Sequence, residues 1–108
     1  MLEGKAKEDF RKYYIQTEGL QDKTIQSQRL ELLLFYAMSE SKQYGVLVDW
    51  FDSVGLRIEV KIKPHEEFNY GVWDNTGWII SSRFFNTRNT ARQQAIKKAN
   101  QIYNERTT

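Results

Sequence analysis

The sequence has no cysteine, only one proline and only one histidine. Without cysteine the chain can form neither disulfides nor thiolate metal sites, which fits the reducing cytoplasm that we expect it to occupy. The single histidine, His65, leaves too few strong ligands at fixed spacing for a usual metal site. It follows Pro64 and precedes two glutamates, so we interpret it as an ordinary turn residue.

Long hydrophobic runs and a marked excess of one charge are also missing. No segment approaches the roughly 18 consecutive apolar residues of a membrane span, and the first residues show no apolar signal core. We therefore expect no membrane partner. The net charge is only +2, so a surface that binds nucleic acid would have to come from local clustering of basic residues.

Motifs for catalysis are absent as well. The chain has no Gly-rich phosphate loop, no G-x-S-x-G turn and no Cys–His pair. Asp49 and Asp52 lie three residues apart and can share a helix face, but carboxylates beside an apolar stripe are typical of a solvated surface. We predict that the protein is not an enzyme, uses no cofactor or metal and takes no small-molecule substrate.

The residues that are present suffice for one folded domain. Hydrophobic residues make up 40% of the 108 residues, which is enough for one core. Aromatic residues make up 14%, and so many rings should partly line a contact surface. We predict a single α+β domain over residues 1–108. It has N-terminal helices in 1–38, followed in 40–105 by an α-β-β-β-α core in which helices pack on a three-stranded antiparallel sheet.

Three helices are predicted before the sheet. Residues 5–18 carry an apolar stripe and end at Gly19. The second helix begins at Ile25 and is apolar nearly all round, so we expect it at the centre of the core. The third ends at Gly55. Its predicted buried stripe is Leu47, Trp50, Phe51 and Val54. Candidate N-caps are Asp22 and Thr24 for the second helix, and Ser39 and Ser41 for the third.

The sheet is predicted from alternation and from turn residues. Residues 56–63 alternate apolar and charged residues, typical of a strand with one buried face. The inward residues are Leu56, Ile58, Val60 and Ile62. A turn at 64–66 leads to a second strand at about 68–73, and the tight loop 74–77 returns the chain to a third strand at 78–85. The pattern leaves open which side of the third strand faces inward.

The final helix is predicted over residues 87–105. Its N-cap is Thr87 or Asn86. Its buried stripe is built on Ala91, Ala95 and Ala99, with Ile96, Ile102 and Tyr103 beside them. Small alanine side chains allow a helix to lie close to a sheet.

Basic residues cluster around the start of this helix. Arg88 and Arg92 share one helix face at an N-terminus, where free N–H groups and the helix dipole favour an anion. Arg83 precedes them, and Lys97 and Lys98 continue the polar side. The open face of the sheet adds Arg57, Lys61, Lys63 and Trp73. This set is our candidate surface for a nucleic acid or other partner; the alternative interpretation is a group of solubilising charges.

The element order and one motif resemble the double-stranded-RNA-binding domain. The motif is Thr87-Arg-Asn-Thr-Ala-Arg-Gln-Gln-Ala-Ile-Lys-Lys-Ala99, which is similar to the basic and alanine-rich helix of that family. The resemblance implies that Arg88 and Arg92 take the place of the lysines that grip phosphate. It also implies that Pro64 and His65 occupy the position of the loop that enters the minor groove.

Two other segments resemble small proteins of Bacteroidota phages and prophages. They are Tyr44-Gly-Val-Leu-Val-Asp-Trp-Phe-Asp-Ser-Val-Gly55 and Ala95-Ile-Lys-Lys-Ala-Asn-Gln-Ile-Tyr-Asn-Glu105. The resemblance implies an inhibitor of a host defence system, of the anti-CRISPR kind, whose partner is a host protein or ribonucleoprotein and could include RNA. Two alternatives stay open: a module that binds double-stranded RNA or other nucleic acid, and a phage structural or assembly subunit.

Overall fold

The computed structural model describes residues 2–64 and 67–107, without the side chains of Lys63 and Trp78. Within these residues it contains four helices and three strands. They are α1 (Gly4–Thr17), α2 (Ile25–Tyr36), α3 (Glu40–Ser53), β1 (Arg57–Lys63), β2 (Glu67–Asp74), β3 (Gly77–Ser81) and α4 (Arg88–Thr107). The strands form one antiparallel sheet in the order β1-β2-β3. The predicted α+β class is confirmed. The predicted turn residue His65 lies outside the described residues.

Two glycines end helices as the sequence predicts. Gly19 has φ +68°, a left-handed conformation that glycine adopts without steric cost. The next N–H, of Leu20, donates to the carbonyl of Ile15 at 2.8 Å, which is the Schellman arrangement. Gly55, with φ +90°, ends α3 in the same way, and the chain then enters β1 directly.

Hydroxyl side chains cap the N-termini of the next two helices. The Thr24 hydroxyl accepts from the N–H of Ser27 at 3.1 Å. The Ser39 hydroxyl accepts from the N–H of Lys42 at 3.4 Å. In each case the cap satisfies one of the N–H groups that a first turn leaves without an intrahelical partner. Of the two N-cap candidates predicted for each helix, Thr24 is therefore the N-cap of α2 and Ser39 is the N-cap of α3.

The first helix is capped by the last one. Glu3, at the N-cap position of α1, makes no side-chain capping bond. Instead, Asn104 accepts from the N–H of Ala6 at 2.8 Å and donates to the carbonyl of Glu3 at 2.9 Å. The buried Asn100 accepts from the N–H of Glu3 at 2.8 Å. Two asparagines of α4 therefore hold the start of α1, a pairing that no local sequence signal indicates.

One face of the sheet packs against α4. The inward pairs Ile58–Val72 and Val60–Tyr70 stand opposite each other in β1 and β2. The alanine stripe of α4 lies over them with its members fully buried; these are Ala91, Ala95 and Ala99. Because each of these three side chains is only a methyl group, the helix can approach the sheet closely. The prediction of α4 and of its buried face is confirmed.

The third strand is shorter than predicted. The expected range was 78–85, but β3 ends at Ser81. The hydroxyl of Ser82 accepts the N–H of Tyr70 at 2.8 Å, in place of a strand carbonyl. A side chain that takes over a backbone hydrogen bond interrupts the ladder, as serine hydroxyls often do.

Pairing resumes once after this interruption. Phe68 and Phe85 form an isolated antiparallel bridge. Between this bridge and the hydrogen bond that joins Ser82 to Tyr70, the segment after β3 has two residues and β2 has only one. An extra residue on one strand is the geometry of a bulge. As a result Phe85 packs against the core, whereas Phe84 is exposed. The bulge therefore settles which residues of this segment face inward.

An aromatic cluster joins the first three helices. The ring of Phe10 lies 5.3 Å from that of Phe35 and 5.6 Å from that of Trp50, measured between centroids. Phe51 stands 4.7 Å from Trp50. None of these four residues is more than 1% exposed. Centroid distances of this size are those of favourable aromatic pairs.

The prediction that α2 lies at the centre of the core is wrong. Only Leu32 and Phe35 of this helix are buried. Leu30, Leu33 and Leu34 are exposed, because α2 lies on the outside of α1 and only one of its faces reaches the core. Among the described residues, no helix has both the length and the apolar character needed to cross a bilayer.

Two other residues predicted to be buried are exposed. Val54 is the C-cap of α3, where the helix turns away from the core. Ile62 is 60% exposed, although it belongs to the inward row of β1. The inward-facing residues of β1 extend beyond the alanine stripe of α4, so the end of β1 faces a groove instead of the core.

Candidate functional site

The site is built around the first two turns of α4. The hydroxyl of Thr87 accepts from the N–H of Thr90 at 3.1 Å, so Thr87 is the N-cap and Arg88 is the first helical residue. Arg88 and Arg92 lie four residues apart and therefore share one side of the helix. This side is directed toward β2 and α3.

Both arginines lie over aromatic rings. The guanidinium carbon of Arg88 is 5.6 Å from the ring centroid of Phe68, and that of Arg92 is 4.8 Å from the ring centroid of Tyr44. Both distances are within the cation–π range. A ring holds a guanidinium in place while the planar group still offers several N–H donors. The rings therefore preorganise the two cations.

A third arginine extends this arrangement. The guanidinium carbon of Arg83 lies 5.5 Å from the ring centroid of Phe85. Phe85 is paired with Phe68 across the isolated bridge, so Arg83 and Arg88 lie over neighbouring rings. We call Arg83, Arg88 and Arg92, each on its ring, the arginine row.

The arginine row makes no salt bridge within the part of the chain that the structure describes. In residues 2–64 and 67–107, no carboxylate lies within 4.0 Å of any of its three guanidinium groups. The cations of the open sheet face differ: Arg57 lies 3.8 Å from Asp52, and Lys61 lies 4.0 Å from Glu59. In a protein with a net charge of only +2, the arginine row is a local concentration of positive charge.

A groove runs beside two of these arginines. It has a volume of about 270 Å³, and its lining is Tyr44, Val60, Ile62, Phe68, Arg88 and Arg92. Burial raises the pKa of Tyr44, and the charge of Arg92 acts in the opposite direction. The phenol therefore stays neutral at ordinary pH. The guanidinium groups of Arg88 and Arg92 line one side of the groove, and the exposed Ile62 lines the other.

The two arginines of the groove differ in burial. Arg88 is exposed, whereas Arg92 is half-buried. Arg92 also donates to the hydroxyl of Ser41 at 3.3 Å, so it links α4 to the start of α3. Arg92 therefore contributes to the packing of α4 against α3, and its substitution will lower the stability of the fold, whereas substitution of the exposed Arg88 should not.

The two lysines that were expected to continue this surface lie elsewhere on α4. Lys97 is five residues beyond Arg92, which places it about 140° further around the helix. It lines a different cavity with Glu3, Gln93, Gln94 and Asn100. The ammonium of Lys98 lies 3.4 Å from the side-chain oxygen of Gln101. Neither lysine adjoins the arginine row.

The remaining predicted residues lie on the open sheet face. The guanidinium carbon of Arg57 is 6.0 Å from the ring centroid of Trp73. Both residues border a cavity of about 190 Å³ together with Asp52, Gly55, Asp74 and Asn75. Lys61 is exposed on the same face. The side chain of Lys63 is outside the described part of the chain.

Two strongly shifted pKa values have structural causes. Hydrogen bonds from Thr76 and Arg106 lower the pKa of Asp74 to about 2. Burial, together with a hydrogen bond to Asp9, raises the pKa of Tyr103 to about 12. Both groups tie α4 to another element. In the described residues no three His, Cys, Asp or Glu side chains converge in a way that could hold a metal ion.

Sequence reasoning did not identify the rings of the site. Tyr44, Phe68 and Phe85 were not among the candidate residues, although the high aromatic content predicted a contact surface. Their partners could not be known, because Arg92 is 48 positions from Tyr44 and the contacts arise only when α3, β2 and α4 assemble.

Comparison of the chain with models of protein families, with curated proteins and with solved structures finds no match. The resemblances to the double-stranded-RNA-binding domain and to phage proteins therefore stay predictions. They can be tested through the site described above.

Proposed function

We propose that this protein binds the phosphate backbone of RNA through the arginine row. We further propose that it acts in this way as a non-enzymatic inhibitor of a host defence nuclease that works with an RNA. The first part rests on geometry. The second rests on the resemblance of residues 44–55 and 95–105 to small phage proteins, and it requires a separate test.

One observation carries the binding proposal: three guanidinium groups lie on three aromatic rings, and none has a carboxylate within 4.0 Å in the described part of the chain. Stacking restricts an arginine before the ligand arrives, so less side-chain entropy is lost on binding. A planar guanidinium can donate two parallel hydrogen bonds to one phosphate. The arginine row is therefore preorganised to bind an anion.

A polyanion fits this surface better than a single charge. Arg83 and Arg88 lie over neighbouring rings, and Arg88 and Arg92 share one side of α4. A nucleic-acid backbone can present successive phosphates to such a set of cations. The exposed Ile62 adds an apolar contact at the edge of the groove. The helix N-terminus contributes in the same direction, since its dipole also favours negative charge.

Arg88→Ala should weaken binding to a short RNA duplex roughly 10- to 100-fold, because a hydrogen bond to a charged group contributes about 1.5–3 kcal/mol. Its melting temperature should stay near that of the unsubstituted protein, since Arg88 is exposed. Fluorescence anisotropy with a labelled duplex, at several salt concentrations, measures both the affinity and its salt dependence. The slope of log affinity against log salt should fall by about one for each lost phosphate contact.

The matched control is Lys97→Ala, which removes the same charge from the opposite side of α4. It should change the affinity only slightly. Arg88→Lys keeps the charge but loses the planar guanidinium group, so its affinity for RNA should lie between the affinities of Arg88→Ala and Lys97→Ala. Equal losses in Arg88→Ala and Lys97→Ala would show that net charge, and not the arginine row, determines binding.

The inhibitor role is tested by adding the protein to an RNA-guided nuclease from a bacterial host. Cleavage should stop near a one-to-one ratio, and Arg88→Ala should require a higher ratio. Strong binding to naked duplex RNA without an effect on the nuclease would instead indicate a plain nucleic-acid-binding module.

A further inference from the structure

The helix α2 is apolar on two opposite sides. One side packs on α1 through Leu32 and Phe35. On the other side Leu30, Leu33 and Leu34 are 56%, 67% and 52% exposed. These three residues follow the i, i+3, i+4 spacing of a helix that packs against another helix. We call these three residues the α2 leucine face.

We propose that the α2 leucine face binds a second copy of this chain, with the two α2 helices side by side and parallel about a two-fold axis. The proposal does not depend on RNA binding, because α2 packs on α1, whereas the arginines of the arginine row lie on α4 and in the segment before it.

The charges that border the face favour this partner. Arg29 and Glu31, both exposed, lie about 100° to either side of Leu30 around the helix axis. A two-fold axis parallel to the helices brings the Arg29 border of one copy against the Glu31 border of the other, twice. An antiparallel pair would place like charges along each border. The face is therefore complementary to itself in charge as well as in hydrophobicity.

The area of the face predicts a weak dimer. Three leucine side chains, each more than half exposed, present an apolar patch on the order of 300 Å², at the lower end of the size of the largest patch on a typical monomer. A stable interface buries about 800 Å² on each partner. Contacts from the neighbouring α1 and from the borders would add to the patch. We therefore expect a dissociation constant on the order of 10–100 µM.

A lipid surface fits the face less well. Helices that lie in a membrane interface carry several lysines and arginines on their polar side. In α2 the one basic residue is Arg29, and it is matched by the one acidic residue, Glu31. The charge of the helix thus provides no attraction to anionic lipid.

Sedimentation equilibrium of the full chain, from about 5 to about 500 µM, tests the proposal across the range of a weak interface. The unsubstituted protein should change from monomer to dimer over this range. Leu33→Lys should raise the dissociation constant by at least about tenfold, with an unchanged circular dichroism spectrum because the side chain is exposed. Ile79→Lys, which places the same charge at an exposed apolar position outside α2 and outside the groove, should leave it unchanged.

A charge exchange tests the parallel arrangement. Arg29→Glu and Glu31→Arg should each weaken the dimer, and the double variant should restore it, since each border then meets its complement again. Weakening by Leu33→Lys without any effect of the single charge variants would overturn the parallel arrangement. A protein that stays monomeric at about 500 µM, or a dimer that ignores Leu33→Lys, would overturn the proposal. If the monomer then sedimented with phosphatidylcholine vesicles, lipid would be the occupant of the face.

Discussion

Replacing Ala95 by glutamate should lower the free energy of unfolding by more than about 4 kcal/mol, enough to unfold many domains of this size. Ala95 has no exposed surface and lies between α4 and the sheet. A longer side chain must either push the helix away from β1 and β2 or bury a carboxylate without a partner, and both are costly. Urea unfolding followed by circular dichroism measures the loss.

The control for Ala95→Glu is Thr90→Glu, which adds a carboxylate to an exposed position of the same helix. Because Thr90 is the third helical residue after the Thr87 cap, glutamate there completes a capping box. The free energy of unfolding should be unchanged or should rise by up to about 1 kcal/mol. A stable, folded Ala95→Glu would contradict the packing of α4 on the sheet.

Trp50→Ala should cost about 3–5 kcal/mol, the usual cost of removing a large aromatic side chain from a core. Trp50 is 1% exposed. Its ring lies 5.6 Å from Phe10 of α1 and 5.1 Å from Tyr103 of α4, so its loss opens a cavity where three helices meet. With urea, the unfolding midpoint should fall by roughly 2 M.

Trp73→Ala is the matched comparison for Trp50→Ala. It removes the same indole from a half-buried position on the open sheet face, so its cost should be clearly smaller. Circular dichroism is the suitable probe for both variants, since each changes the tryptophan fluorescence. Equal losses from the two substitutions would indicate that the α1–α3–α4 contact is not the centre of the core.

Local patterns predicted most of the fold correctly. The alternation of residues 56–63 identified β1, the alanine stripe identified α4, and Gly19 and Gly55 marked the ends of α1 and α3. In each case a single physical requirement acts over a few neighbouring residues: one buried strand face, a close helix–sheet approach or a left-handed backbone conformation. Such requirements are visible in sequence because they depend little on the rest of the chain.

The wrong predictions have a different origin. A helix that is apolar all round, such as α2, can be covered on every side by its own chain or can expose one face to another molecule, and periodicity does not distinguish the two. Ile62 continues the inward row of β1, but burial depends on where α4 begins. The end of β3 depends on the hydroxyl of Ser82, whose acceptor role requires Tyr70 of another strand.

The candidate site was predicted in part. Arg88 and Arg92 were paired by helical spacing alone, and their common side follows from that spacing. Lys97 was grouped with them because it continues the polar side of the helix, although helical geometry places it about 140° away from Arg92. The rings under the three arginines come from α3, β2 and the segment after β3, so no spacing rule could connect them to α4.

Nuclear magnetic resonance can show whether the arginine row binds RNA phosphate. Short duplex RNA is titrated into isotope-labelled protein, and the perturbed signals are mapped onto the fold. We expect the largest changes on Arg88, Arg92 and the ring signals of Tyr44 and Phe68, and we expect these changes to diminish as salt is raised. Changes confined to the open sheet face around Trp73, or to α2, would contradict this expectation.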